Sequence, residues 1–291
     1  MVWILTIVLI PLALSFVYSA MEEPFKQFVG ARRRRLLRVQ RVTLPRDRQT
    51  FDEAWRIYQK LPEGVRDDRK YVAEWLEAEP STESEEFFYI RRRFRRGIRA
   101  LLHATLYKRP HNRCLIVQLA PDRDAPKDEA IADLLRLWEA LKRGITKATG
   151  VDACEFYVEI LQPDAEPVYG AAERSRRAVV RTVLAGLGMV ELQMPYRMPD
   201  RRFDPSRGFD PSKEIPASLV YLDWGESREG RLTTDHVLGF VYGIAHLWVL
   251  QWPDEVYGLA DLKKVVEYLW ELTERVRVGS DPEVAAISLG Q

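Results

Sequence analysis

Hydrophobic and polar positions change their period along this chain, and each change marks an element. Residues 1–20 hold no charged side chain and are dominated by Trp, Ile, Leu, Val and Phe, with Pro11 inside the run. About twenty apolar residues suffice to cross a hydrocarbon core as a helix, so residues 1–21 predict a transmembrane anchor. Over residues 37–44, Leu37, Val39, Val42 and Leu44 are interleaved with polar positions, which predicts a first strand ended by Pro45. Phe51, Ala54, Trp55 and Tyr58 then recur at helical spacing behind Thr50, a residue suited to cap them. A second helix over about 67–78 turns Tyr71, Val72, Trp75 and Leu76 inward. From there the period becomes strand-like. Residues 87–94, 98–107 and 114–120, joined by short polar links, predict three antiparallel strands in a meander.

The stretch 112–160 predicts a buried strand, a polar loop, a long amphipathic helix and a second strand over 153–160. Such a unit joins neighbouring parallel strands by a right-handed crossover. The loop before its helix is a natural anion position, because free N–H groups converge there. Beyond it, Val179, Val180, Val183, Leu184 and Leu187 form the apolar face of a helix over 172–187, and Gly188 is placed to stop it. A short strand over 189–194, an irregular loop over 197–216 and a strand over 218–224 follow. Two amphipathic helices, about 234–250 and 259–276, close the chain. The resulting division is an anchor (1–21), a basic juxtamembrane linker (22–36), a main domain (37–224), a helical extension (225–278) and a disordered tail (279–291).

Composition changes this picture in one respect. The 291 residues carry a net charge of only +1, yet residues 22–113 hold 23 Lys and Arg against 14 Asp and Glu. Lys26, Arg32 to Arg35, Arg38 and Arg41 follow the apolar run, and no basic side chain precedes it. The positive-inside bias therefore sets the N-terminus outside and the rest in the cytoplasm, as a single-pass cell-membrane protein. A cleaved signal peptide competes with this reading, but its basic leading region is missing. The arginine run lacks interleaved aromatics, so residues 1–41 are expected to meet anionic lipid and not nucleic acid. Cys114 and Cys154, the only cysteines, fall in buried strands and read as reduced core thiols. His103 and His236 have no partner spacing for a metal, and none is expected; His246, in the first C-terminal helix, reads as a satisfied interfacial histidine. The last two helices carry Phe240, Tyr242, Trp248, Trp252, Tyr257, Tyr268 and Trp270, some of them off the packing stripe, which leaves a homodimer contact open.

Glu155 and Glu159 share one face of the strand 153–160, opposite Cys154, Phe156, Val158 and Ile160. Either carboxylate is suited to take a proton from an amine; the competing reading is a half-exposed strand with solvated carboxylates.

The order of elements resembles the GNAT superfamily of acyl-CoA N-acyltransferases. The resemblance is carried by the first strand with its 51–58 helix, the 87–120 meander, the strand-to-helix passage at Leu119-Ala120-Pro121, and the helix ending in Leu187-Gly188-Met189. It covers about residues 37–224. It implies an α/β (α+β) fold with a mixed, mostly antiparallel sheet flanked by helices. It also implies transfer of an acyl group from acetyl-CoA or another acyl-CoA to a small-molecule or protein amine. On this resemblance Val117 and Leu119 line the pantetheine arm, Arg123 and Lys127 stand at the pyrophosphate, and Tyr169 is near the usual tyrosine acid. One departure is plain: residues 122–129 contain no glycine. Side chains there block close backbone approach, Pro126 lacks an N–H, and Asp122, Asp124, Asp128 and Glu129 repel a pyrophosphate. The alternative expectation is a non-catalytic GNAT-like binding or scaffold protein at the cytoplasmic membrane face.

Overall fold

Alternation along the strands sends apolar side chains to both faces of one sheet, so helices are needed on both sides. The computed structural model describes residues 37–61, 67, 69–93, 97–108, 112–161, 170–199, 214–225, 232–241, 267, 270–271, 274 and 286–289. The chain divides into two units, residues 1–38 with 92–97 and residues 39–91 with 98–291. In order, the elements are β1 (Leu37–Arg41), α1 (Arg48–Tyr58), α2 (Arg69–Glu77), β2 (Ser84–Arg93), β3 (Gly97–Tyr107), β4 (Arg113–Pro121), α3 (Lys127–Thr149) and β5 (Cys154–Leu161). They continue with α4 (Ala171–Gly186), β6 (Val190–Leu192), β7 (Arg197–Pro199), β8 (Glu214–Trp224) and β9 (Ala286–Ser288). Residues 234–241 are also helical.

The strands run β1-β2-β3-β4-β5-β8-β6-β9, with β7 on β8. β4 and β5 pair in parallel, as the crossover through α3 requires. The pairs β3–β4, β5–β8, β6–β8, β6–β9 and β7–β8 are antiparallel. This is the mixed, mostly antiparallel α/β architecture expected from the order of elements.

On one face, Phe87, Leu102, Cys114, Ile116, Phe156 and Val158 pack with the apolar stripes of α3 and α4. Their neighbours in sequence point the other way. There Phe88, Ile90 and Leu101 meet α1 and α2. On that same second face, Leu115, Tyr157, Leu219 and Tyr221 meet Val237, Phe240 and Val241 of the 234–241 helix. Both cysteines are free and fully buried in the first cluster.

α4 ends as its sequence predicts. Met189 N donates to the Leu184 carbonyl at 3.1 Å and Gly188 N to Ala185 at 3.0 Å, the double bond of a Schellman cap. Gly188 has φ 79°, a conformation that a side chain disfavours.

Several expectations are corrected. Thr50 lies inside α1, which starts at Arg48 after Asp47; the Asp47 carboxylate instead accepts from Thr43 N at 3.0 Å. In α2, Val72, Ala73 and Leu76 are buried, while Tyr71 and Trp75 are half-buried. The 197–216 stretch is not wholly irregular: β7 forms, and β8 begins at Glu214, because Arg197, Met198 and Pro199 pair with Pro216, Ile215 and Glu214. The expected disordered tail holds a strand, since β9 pairs with β6 and Leu289 is buried in the core. No described helix is long and apolar enough to cross a membrane, and residues 1–21 lie outside the described residues. The remainder of both C-terminal helices, beyond residues 234–241 and four isolated positions, also lies outside them.

Candidate functional site

β4 and β5 are paired over Arg113–Ile116 and Glu155–Val158, and then the pairing stops while both strands continue. β4 remains bonded to β3 as far as Pro121, and β5 to β8 as far as Leu161. The two strands therefore diverge between intact neighbours, and their facing edges lose each other as hydrogen-bond partners. A cleft of about 80 Å³ opens there, lined by residues 116–119 of β4, 158–161 of β5, and Arg176, Arg177, Val180 and Arg181 of α4. Consecutive residues of both strands line it, on either side of the point where their pairing ends.

A second irregularity falls at the same place. His103 lies opposite Gln118 and Ala104 opposite Ile116, so Val117 is an extra residue, a β-bulge in β4. The phase of the strand shifts accordingly: Cys114 and Ile116 lie in the helix-side core, and Leu119 follows three positions later. A bulged residue leaves the ladder and re-aims its backbone and side chain. In the middle of β4, Val117 and Gln118 are the half-exposed positions. Behind the bulge, the fully buried His103 sets Nε2 at 3.0 Å from Glu86 Oε2, with its ring beside Phe88 and Trp75.

The two candidate carboxylates have different surroundings. Glu159 lines the cleft and accepts a hydrogen bond from the Tyr196 hydroxyl. Glu155 does not: it is fully buried and accepts from Arg113 Nε at 3.1 Å. His236 Nε2 lies 2.8 and 2.9 Å from its two oxygens. Arg113 Nη2 stands 3.2 Å from His236 Nδ1 and 3.3 Å from Nε2, so guanidinium, imidazole and carboxylate form one cluster. The Tyr157 and Tyr221 hydroxyls add contacts at 3.4 Å. The expectation of a solvated Glu155 is thus corrected: it is buried, and its partners come from β4, β5, β8 and the 234–241 helix.

Of the residues implied for an acyl donor, Val117 and Leu119 line the cleft with Glu159. Arg123 and Lys127 do not reach its described lining. Arg123 is exposed and donates to the Lys60 carbonyl at 3.0 Å, and Lys127 is the exposed first residue of α3. Tyr169 lies outside the described residues. The loop acids are engaged by the protein's own cations: Arg99 meets Glu129 at 3.0 Å and Asp122 at 3.7 Å, while Lys60 stands 3.8 Å from Asp122.

Sequence reasoning missed Gln118, Tyr196 and the α4 arginines. Arg176 and Arg177 both bond the buried Glu173, and Arg181 Nη2 donates to the Leu161 carbonyl at 2.8 Å. Burial alone would raise the Glu173 pKa, but the hydrogen bonds and charges of Arg176 and Arg177 outweigh it and hold the carboxyl below its ordinary range. Among the described residues, no group of three or more His, Cys, Asp or Glu could hold a metal.

No family model and no curated protein matches the chain. Among solved structures, it is similar to a putative acetyltransferase of the GNAT family from Bacteroides thetaiotaomicron, at 14% identity and TM-score 0.43, over 74% of this chain and 99% of that one. It is similar to a tandem GNAT protein from the clavulanic acid biosynthesis pathway, without AcCoA, at 12% identity and TM-score 0.39; 59% of this chain matches half of that protein. It is also similar to Arabidopsis thaliana Naa50 in complex with the bisubstrate analogue CoA-Ac-MVNAL, at 10% identity and TM-score 0.39, over 64% of this chain and 98% of that one. Each of these likenesses is distant.

Proposed function

We propose that this chain is a membrane-anchored GNAT-like N-acyltransferase, which moves an acyl group from an acyl-CoA donor to an amine. One observation carries the reading: the parallel β4–β5 pair opens at the point where β4 bulges, and a carboxylate lines the opening. The strand edges there are no longer paired with each other, which leaves room for an extended, amide-bearing arm to bond them much as an added strand would. Val117 and Leu119 would hold that arm, and the donor would supply an activated thioester.

In this reading the chain's own residues take distinct roles. Glu159 takes the proton of the attacking amine as the C–N bond forms. The backbone N–H groups around Val117 stabilise the oxyanion that develops before the C–S bond breaks. Tyr196 orients the Glu159 carboxylate. Residues 1–21 anchor the chain and the basic segment 22–36 lies on anionic headgroups, with the main domain in the cytoplasm.

The test is a steady-state assay with acetyl-CoA and a panel of amines, paired with calorimetric titration of the donor. Glu159→Gln should lower turnover by about a hundredfold or more while leaving donor affinity within twofold. Saturable donor binding with no loss of turnover in this variant would remove Glu159 from its role.

A second reading, a non-catalytic GNAT-like scaffold, is favoured by one observation. The α3 N-terminus has no glycine before it, starts after Pro126 and carries Asp128 and Glu129 in its first turn. If no acyl-CoA binds saturably at millimolar concentration, the enzyme reading is abandoned for this one.

A further inference from the structure

The arginines of α4 belong to no role assigned so far. Arg176, Arg177 and Arg181 contribute to one wall of the β4–β5 cleft. Among its described lining these are the three cations, and the one carboxylate is Glu159, which Tyr196 bonds and which β5 carries on the face opposite α4. The Arg176 and Arg177 side chains are only 11% and 10% exposed, and both share Glu173 behind the wall. Guanidinium groups are costly to bury, so three at one cavity is an arrangement that an anion would stabilise. Arg181 is fixed at the rim by its bond to the Leu161 carbonyl. Arg176 is fixed by Glu173, to which its Nε donates at 2.8 Å.

The opposite condition holds at the start of α3. Asp122, Asp124, Asp128 and Glu129 crowd that end, Pro126 supplies no N–H, and the nearby cations Arg99 and Lys60 are engaged with the acids. A doubly charged phosphate group would meet repulsion at the α3 end and attraction at the α4 wall.

We infer that the α4 arginine wall is a phosphate-binding subsite, which holds the diphosphate of the donor at Arg176, Arg177 and Arg181 in place of the loop before α3. The inference rests on the acyl-donor reading of the cleft and specifies how a glycine-free chain accommodates that donor's charge. Guanidinium forks match phosphate oxygens two at a time, and removing one charge-assisted contact weakens binding by about tenfold or more.

The experiment titrates the full-length chain with acetyl-CoA, with acetyl-pantetheine, which lacks the phosphates, and with inorganic pyrophosphate. Each titration is repeated on Arg176→Gln, Arg181→Gln and the charge-keeping Arg181→Lys. Pyrophosphate should bind the wild type and compete with acetyl-CoA. The two Gln variants should weaken acetyl-CoA by about tenfold while leaving acetyl-pantetheine within twofold, and Arg181→Lys should recover part of the loss. Absence of pyrophosphate binding to the wild type overturns the subsite, whatever the variants do. Unchanged acetyl-CoA affinity in both Gln variants overturns it too. Arginine-dependent pyrophosphate binding, with no affinity for acetyl-pantetheine and no gain for acetyl-CoA over pyrophosphate, supports the subsite and overturns the donor reading instead.

Discussion

Glu155 and Glu159 stand two turns of the pleat apart on one strand face, and their environments differ. Glu155 is fully buried among Arg113, His236, Tyr157 and Tyr221. Glu155→Gln should therefore destabilise the protein by about 3 kcal/mol, seen as a lower denaturant midpoint, because Arg113 loses its buried counter-charge. Glu159→Gln should leave that midpoint almost unchanged. Glu85 gives a pH test away from the cleft. Burial would raise its pKa, but Lys108 and Arg41, each 2.9 Å away, outweigh burial and lower it. With the folded value below the unfolded one, its stabilisation is complete above the unfolded pKa of about 4.3 and is lost as pH falls through the lowered value. The stability gap between wild type and Glu85→Gln should be constant near neutrality and close in acid; a gap that widens in acid would contradict the assignment. The thiols of Cys114 and Cys154 are pushed well up by burial, so a thiol reagent should label both only after unfolding.

At the scale of elements, the crossover from β4 through α3 to β5 and the Gly188 stop of α4 were legible in the sequence. Their signals are local: apolar runs, a helical stripe and a residue that accepts positive φ. The bulge at Val117 was not legible, since an extra residue is defined by the partner strand and not by the residue itself. The α4 arginines carry no signal of their own in the sequence, since only the packing of α4 beside the diverging strands brings them to a cavity. β6 falls inside the predicted strand 189–194, but β7 and β9, also three residues long, are too short for a periodic signal and exist through partners distant in sequence. The β5–β8 junction supplies a further prediction. Gly225 has φ 73°, and a Cβ there would overlap the Asp152 carbonyl oxygen. Gly225→Ala should cost about 2–3 kcal/mol, measured by thermal or denaturant unfolding, since strain and clash add.

For the whole molecule, the sequence stated the fold class more fully than the site. The charge asymmetry between residues 22–113 and the remainder belongs to the proposed anchoring. The full chain should fractionate with membranes and the chain without residues 1–21 should not; recovery of both in the soluble fraction would discard the anchor. The sheet itself has a mechanical consequence. In backbone pairing its two halves, β1 to β4 and β5 to β9, meet over four residue pairs at one end, and the pairing is already open at the other. Force applied at the open ends of β4 and β5 would load those pairs one after another, as in a zipper. Force along the strands would load them together. The same sheet should yield at low tension in the first direction and resist in the second, and a ligand bridging the tear should act as a stitch.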